Sequence, residues 1–304
     1  MKDLVSCIVT YKPNIEHLKL LVDKLNKLDI YTIIFDNTPV NGLDNQIVNA
    51  ERIISLGKNM GIGYAYNTCV KIALELPSKY IIFFDQDTDL LETFNPFIVL
   101  EQLEKLPLKD KVGIISLNIQ NSTIVSEIPN SNFYLAKYAI GNGMIVKTEI
   151  AKEIKFREDL FLDAIDIEYC TRVRRNGYLI LAYKDIMLKH RSGEGDAEFS
   201  RILSRVIIAT LAKVLHKPNL RHFHYSYYSN YSRYYLMIRN NIYLLVRGQY
   251  DLDYVKYILF MILTIYDRLG FFKTSKILLK ALYHAIIGDL EKDNENIIKN
   301  FKAN

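Results

Sequence analysis

Asp85 and Asp87 stand one residue apart, directly after the apolar run Ile81-Ile82-Phe83-Phe84. Paired carboxylates in that setting suit a hard divalent cation, Mg2+ or Mn2+, which takes oxygen ligands. Held there, the cation would meet phosphate oxygens and stabilise charge building on a leaving diphosphate. Such pairs also begin ordinary turns, so their place in the chain matters as much as their type. A second pair, Asp36-Asn37, follows Ile33-Ile34-Phe35. An aspartate here can accept from the N3–H of a uracil or thymine ring; standing alone it would read as an Asx turn. A third element is Asn59-Met60-Gly61-Ile62-Gly63-Tyr64-Ala65-Tyr66-Asn67. Its glycines permit close backbone approach, and the helix that follows offers its N-terminus to phosphate. It is not a dinucleotide fingerprint, because Tyr66 fills the third glycine position, and no Gly-Lys-Ser/Thr follows to make a phosphate loop.

Two further carboxylates, Asp163 and Asp166, lie three apart and would share a face of a helical turn. One of them could be a general base that takes a proton from a hydroxyl. A solvated acidic helix start is the plainer reading. His190 follows the apolar residues Ile186 to Leu188 and could add a nitrogen ligand to the metal of Asp85 and Asp87.

These residues need elements to position them. The pattern predicts strands over 4–9, 31–35, 53–56, 80–84 and 112–117. Helices are predicted over 15–28, 61–76 and 97–106. That alternation implies an α/β fold, a mainly parallel central sheet flanked by helices. In such sheets ligands bind beyond the carboxyl ends of the strands. Thr10-Tyr11, Asp36-Asn37, Gly57-Lys58-Asn59 and Asp85-Gln86-Asp87 all fall at such ends.

The pattern changes near residue 120. Residues 118–132 read as polar loop, and 139–146 as a glycine-flanked strand containing Gly141 and Gly143. Residues 158–173 run into a helix, 178–183 are apolar, and the chain is helical from Phe199. Residues 251–287 form an amphipathic helical stretch, and the polar tail after Asp289 is expected to fray. The three cysteines are widely spaced, so no disulfide framework or zinc ribbon is expected, and a reducing cytoplasm suits them. No signal-peptide pattern is seen at the start, and the longest late apolar run, 258–266, is short for a membrane span. Basic residues are scattered, which disfavours nucleic acid. The net charge of +5 and the lysines near apolar residues in the last helices, Lys256, Lys273, Lys276 and Lys280 among them, leave open an anionic membrane surface or a homodimer face.

In this order, over roughly residues 4–250, the elements resemble family 2 glycosyltransferases of the GT-A fold. Val9-Thr10-Tyr11-Lys12-Pro13 is similar to that family's first strand and nucleotide loop. Asp36 matches its base-reading aspartate, the Asn59 to Asn67 block a family motif, and Asp85-Gln86-Asp87 its metal-binding motif. Gly141-Asn142-Gly143 matches its acceptor-side strand. Within the family the chain looks most like rhamnosyltransferases that use dTDP-L-rhamnose. The block Phe161-Leu162-Asp163-Ala164-Ile165-Asp166-Ile167-Glu168-Tyr169-Cys170 carries this, as does Tyr234-Tyr235 before Arg239-Asn240, where one more residue intervenes than in the family signature.

The resemblance implies a GT-A catalytic domain over 1–200, with a nucleotide-sugar half over about 1–118 and an acceptor half over about 119–200. A C-terminal helical region over 201–304 follows. It implies an inverting transfer with Asp166 as base and a metal on Asp87, His190 and Asp85. Thr10, Tyr11, Asp36, Asn59, Gly61, Asn67, Asp85, Gln86, Gly141, Asn142, Asp163 and Arg239 would bind substrates, with Arg239 near the diphosphate. The implied donor is a nucleotide sugar, dTDP-L-rhamnose, and the acceptor a glycan or lipid-linked saccharide of cell-surface polysaccharide synthesis. The expected place is the cytoplasm or the inner face of the plasma membrane. A UDP-hexose donor or an inactive sugar-nucleotide-binding scaffold are the alternatives. A sugar nucleotidyltransferase would want a glycine- and arginine-rich loop after the first strand, which Thr10-Tyr11-Lys12-Pro13 does not supply.

Overall fold

The computed structural model describes residues 3–39, 42–43, 48–189, 195–216 and 223–301. It divides into two compact units, residues 1–190 with 300–304, and residues 191–299.

The first unit runs β1 (Leu4–Thr10), α1 (Ile15–Lys27), β2 (Tyr31–Asp36), β3 (Arg52–Ser55), α2 (Ile62–Glu75), β4 (Tyr80–Asp85), β5 (Asp89–Leu90) and α3 (Pro96–Glu104). It continues with β6 (Val112–Ser116), β7 (Thr123–Glu127), β8 (Phe133–Tyr138), β9 (Met144–Lys147), α4 (Thr148–Glu153), α5 (Ile165–Arg175), β10 (Leu179–Tyr183) and β11 (Leu188–Lys189). Nine strands make one sheet in the order β3-β2-β1-β4-β9-β6-β10-β8-β7. Only β8 and β9 run against the other seven. The α/β class with a mainly parallel sheet is as expected.

β1 and β4 lie side by side in register, and their side chains are buried along nearly their whole length. That is why both read as continuous apolar runs rather than as alternation. Asn14 caps α1 by accepting from the His17 N–H at 3.1 Å, and Leu18, Leu21, Val22 and Leu25 are its buried stripe.

Several expectations need correcting. Residues 118–132 are not all loop, since β7 forms the edge of the sheet; most of its side chains face solvent, so it shows no apolar period. The strand expected over 139–146 begins only at Met144. Gly141-Asn142-Gly143 is the turn before it, with Gly143 at φ +79. The structure also pairs Cys7 with Cys69 as a disulfide. The packing of α2 on β1 brings these two Cα atoms to 6.0 Å across a sequence separation of 62, which spacing alone does not reveal. Cys170 is free and buried.

The C-terminal unit holds β12 (Gly195–Glu198), α6 (Ile202–Val214), β13 (His224–Tyr227), α7 (Tyr231–Val246), α8 (Val255–Leu269), α9 (Phe271–Ile287) and α10 (Leu290–Phe301). β13 lies inside the stretch expected to be helical from Phe199 and pairs antiparallel with β12, which precedes that stretch. The stretch 251–287 is two helices, broken at Gly270, whose φ of +80 no helical residue shares. The tail expected to fray is α10, which carries Asp293 inward: its carboxylate takes hydrogen bonds from Arg239 Nη1 at 2.6 Å and from the Tyr235 hydroxyl at 2.5 Å. No helix among the described residues is long and apolar enough to cross a membrane.

Candidate active site

The seven strands that run the same way deliver their carboxyl ends to one edge of the sheet, and the candidate residues of the first unit gather there. β1 ends at Thr10, β2 at Asp36 and β4 at Asp85. Thr10 Oγ1 donates to Asp36 Oδ1 at 2.9 Å, joining two of these ends. Asp36 is fully buried, and its oxygens also accept from the Thr38 N–H, the Thr38 hydroxyl and the Leu43 N–H, at 3.1, 2.7 and 2.9 Å. Gln86 joins a third end, that of β4, to the end of β1. Its Oε1 accepts from the Tyr11 N–H at 2.7 Å, and its Nε2 donates to the Tyr11 carbonyl at 3.2 Å. The middle residue of the Asp85-Gln86-Asp87 motif therefore clamps the loop after β1.

The turn after β4 is fixed from the other side by Thr88. Its hydroxyl meets the Asp85 carbonyl at 2.8 Å and Asn142 Oδ1 at 2.7 Å. Thr88 and Asn142 are both buried, and Asn142 Nδ2 has no hydrogen-bond partner among the described residues. A buried donor left over in this way is costly unless a ligand or water takes it.

Asp166 enters in the first turn of α5, where the helix N-terminus favours an anion. The Gly141 N–H donates to its Oδ2 at 2.8 Å. No side chain fits at Gly141, because a Cβ there would lie 2.5 Å from the Tyr66 hydroxyl and 3.3 Å from Asp166 Oδ1. Burial pushes the Asp166 carboxyl up to about 7, the Gly141 hydrogen bond pulls the other way, and the charges of Asp85 and Asp163 push it up further. The Tyr66 phenol is raised well above its ordinary value by burial first, then by Asp85 and Asp166. Tyr66 thus lies in the field of both carboxylates, wedged against Phe83 and Phe156 at ring-centroid distances of 4.4 and 5.0 Å. Sequence reading passed over Tyr66 and Thr88. Their only sequence signal is adjacency, one beside Asn67 and the other beside Asp87.

Asp163 does not share a helical face with Asp166. It precedes α5, and Phe161, Asp163 and Ala164 all adopt left-handed backbone, at φ 65, 62 and 67. Three such residues in a non-glycine stretch store strain that the surroundings must hold. The Asn59 to Asn67 block does the holding. Gly61, at φ +85, has no room for a Cβ, which would sit 2.7 Å from the Phe161 carbonyl, and a Cβ at Gly63 would meet the Arg157 carbonyl. The Ile62 N–H donates to the Phe161 carbonyl at 2.9 Å. Asn67 pairs with the Phe156 backbone in both directions, at 2.9 Å each. Asn59 and Asn37 brace the same turn: Asn59 Oδ1 accepts from the Gly61 N–H at 2.9 Å, and Asn37 Oδ1 from the Met60 N–H at 2.8 Å. The close backbone approach read from these glycines is made here to the chain's own segment 156–161.

Arg239 belongs to the C-terminal unit, is fully buried, and its guanidinium is engaged by Asp293, Asn294 and Asn240. His190 lies outside the described residues. Among the described residues no three His, Cys, Asp or Glu side chains cluster as a metal-binding group.

The chain is similar to a dTDP-rhamnosyl transferase. This relative, RfbF of Shigella flexneri, is 27% identical over 207 residues, which cover 63% of this chain and 70% of the relative. The match agrees with the resemblance read from the motifs. An arginine–tRNA ligase of Buchnera aphidicola is 33% identical over 103 residues, but these span 28% of this chain and only 18% of the ligase. No family model matches. Among solved structures, S. aureus TarS covers 93% of this chain at 15% identity and a TM-score of 0.45, while the chain spans 55% of TarS. At that score the likeness bears on neither substrate nor mechanism.

Proposed function

We propose that this chain is an inverting glycosyltransferase that moves L-rhamnose from dTDP-L-rhamnose onto a hydroxyl of a glycan or lipid-linked saccharide. One observation carries the chemistry: Asp166, with its carboxyl near 7, is held by the Gly141 N–H within the field of Asp85 at the end of β4. A carboxylate tuned to the working pH is suited to take a proton from an alcohol. The similarity to the Shigella enzyme supports the donor.

In this reading the acceptor hydroxyl gives its proton to Asp166. Its oxygen forms a bond to the anomeric carbon as the bond from that carbon to the diphosphate breaks, so the configuration inverts. Gly141 orients the base, and Tyr66 stays protonated beside it. Gln86 and Thr88 hold the loops after β1 and β4 in place, and Asn142 Nδ2 offers a hydrogen bond to a sugar or acceptor oxygen. Much of the rate comes from such positioning. Asp85 and Asp87 would hold Mg2+ or Mn2+. Their hard oxygen donors at the end of β4 fit such a cation, and His190 would be the further ligand that the resemblance implies. When bound, the cation stabilises the charge on the departing diphosphate. Arg239, engaged by Asp293, is left out of this mechanism.

The test is release of nucleoside diphosphate from a donor panel with a lipid-linked acceptor fraction, with and without Mn2+ or Mg2+. Metal-dependent turnover of dTDP-L-rhamnose alone is expected. Turnover of a UDP-hexose instead would keep the chemistry and overturn the donor. Neither turnover nor binding of any donor would overturn the proposal whole.

A further inference from the structure

The C-terminal unit exposes more apolar surface than a freely soluble helical unit needs. On α9 the buried face is Thr274, Ala281 and Ala285, and it packs on α7 and α8. On the opposite face Phe272 is 87% exposed, and Leu279, Tyr283 and Ile286 follow it at helical spacing, all exposed. α6 repeats the arrangement, with Ile202 82% exposed and Leu203, Val206 and Val214 exposed as well. The starts of the two helices are tied together. The Arg201 N–H and Nε donate to Asp267 Oδ1 and to the Asp267 carbonyl, at 2.8 and 2.7 Å. The Arg201 guanidinium lies 3.0 Å from where a Cβ on Gly270 would stand. The exposed pairs Ile202-Leu203 and Phe271-Phe272 therefore emerge beside each other. A contiguous apolar patch of this kind on a folded unit marks a contact surface.

The charges say what it contacts. α6 and α9 carry Arg205, Lys213, Lys273, Lys276 and Lys280 and not one aspartate or glutamate. Of the flanking acids, Asp267 is buried, Glu198 lies 3.1 Å from His224, Asp196 accepts from the Ser226 hydroxyl, and Asp289 lies past the end of α9. A twofold dimer through this patch would set the same patch against itself and bring lysine towards lysine. An anionic lipid surface accepts the phenylalanines and leucines below its headgroups and the lysines among its phosphates. Lys273 and Lys280 hold their Nζ atoms over the rings of Tyr231 and Tyr235, at 5.2 and 4.8 Å from the ring centroids, so positive charge is fixed beside the apolar face. We infer that α9 and the start of α6 form a docking surface for an anionic membrane, independently of which donor the enzyme uses.

The test is flotation of the full chain with phosphatidylcholine vesicles, with and without phosphatidylglycerol. Binding is expected only with the anionic lipid and is expected to weaken as salt is raised. The variant Phe272→Ser with Leu279→Ser should keep its circular dichroism and melting profile and bind at least about tenfold more weakly. Each of Lys273→Gln, Lys276→Gln and Lys280→Gln should weaken binding roughly fivefold. Equal binding to both vesicle types, or equal binding by wild type and variants, would overturn the inference. So would a dimer in sedimentation velocity that the Phe272→Ser variant dissociates while vesicles bind neither form; the patch would then belong to a second copy of the chain.

Discussion

The backbone N–H of Gly141 and the carboxylate of Asp166 meet at 2.8 Å across a separation of 25 residues. The first sits in the turn before β9 and the second in the first turn of α5. In the proposed mechanism Gly141 thereby supports the base, and it has to be glycine because Tyr66 and Asp166 fill the space beyond its Cα. Replacing Asp166 by Asn keeps the shape and removes the base. Turnover should fall by about 100- to 10,000-fold with donor binding retained, measured by steady-state kinetics and donor titration. Unchanged turnover would remove Asp166 from that role.

The same carboxyl gives a pH dependence with a definite sign. A base must be ionised, so kcat/KM should rise with pH through an inflection near 7 and then level off. The Asn variant should lack that rise. Stability runs the opposite way. The folded pKa lies above the unfolded one, so the folded state holds the extra proton between about pH 4 and 7. This contribution is fully present below pH 4 and is lost as pH rises to 7. Denaturation midpoints of wild type relative to Asp166→Asn should fall over that interval and stay level above it.

Gly61→Ala places a Cβ against the Phe161 carbonyl and forces φ +85 on an alanine. A loss of about 1–3 kcal/mol is expected in urea unfolding. Because segment 156–161 leads into Asp166, kcat should fall as well. A variant as stable and as active as wild type would show that this docking is dispensable.

Gln86→Ala removes both hydrogen bonds to the Tyr11 backbone without touching a carboxylate. Roughly 1–2 kcal/mol of loop positioning is lost, so the donor KM should rise about tenfold. Asp87→Asn should instead raise the Mn2+ or Mg2+ concentration needed for half-maximal rate. Chelation should silence the wild type, and added metal should restore it.

Arg239→Met tests the role given to that residue. It leaves Asp293 buried without its cation, and the C-terminal unit should lose roughly 3–5 kcal/mol. Donor affinity of protein that remains folded should not change. A selective loss of donor affinity at full stability would return Arg239 to the diphosphate.

The strand ends were legible in the sequence because a buried parallel strand is a run of apolar residues and a site residue is the polar group that stops it. Asp36 and Asp85 announce themselves in that way, and Asp166 through its block from Phe161 to Cys170. β7 could not be read because an edge strand facing solvent has no apolar period. Tyr66 could not be read because its place depends on α2 leaning over β4, and a tyrosine in an apolar helix reads as core. Gly61 and Gly63 were read as sites of close backbone approach beside a phosphate-binding helix start. What they approach, the backbone of 157–161, lies almost a hundred residues on and is visible only in the folded chain. The resemblance placed Arg239 near the diphosphate, and its pairing with Asp293 was not legible because Asp293 sits in a tail that reads as polar and loose.

Asp36 has a consequence for selectivity. Its two oxygens already accept four hydrogen bonds from Thr10, Thr38 and Leu43. A pyrimidine reaching it would exchange one N–H for another, a swap of nearly equal partners that adds little affinity. Thymine and uracil moreover present the same N3–H, so this carboxylate is blind to the difference between them. If Asp36 meets the base as proposed, preference for a thymidine over a uridine donor would rest on the groups that meet the 5-methyl and the 2′-carbon, and an engineer wishing to change the nucleotide should leave Asp36 alone.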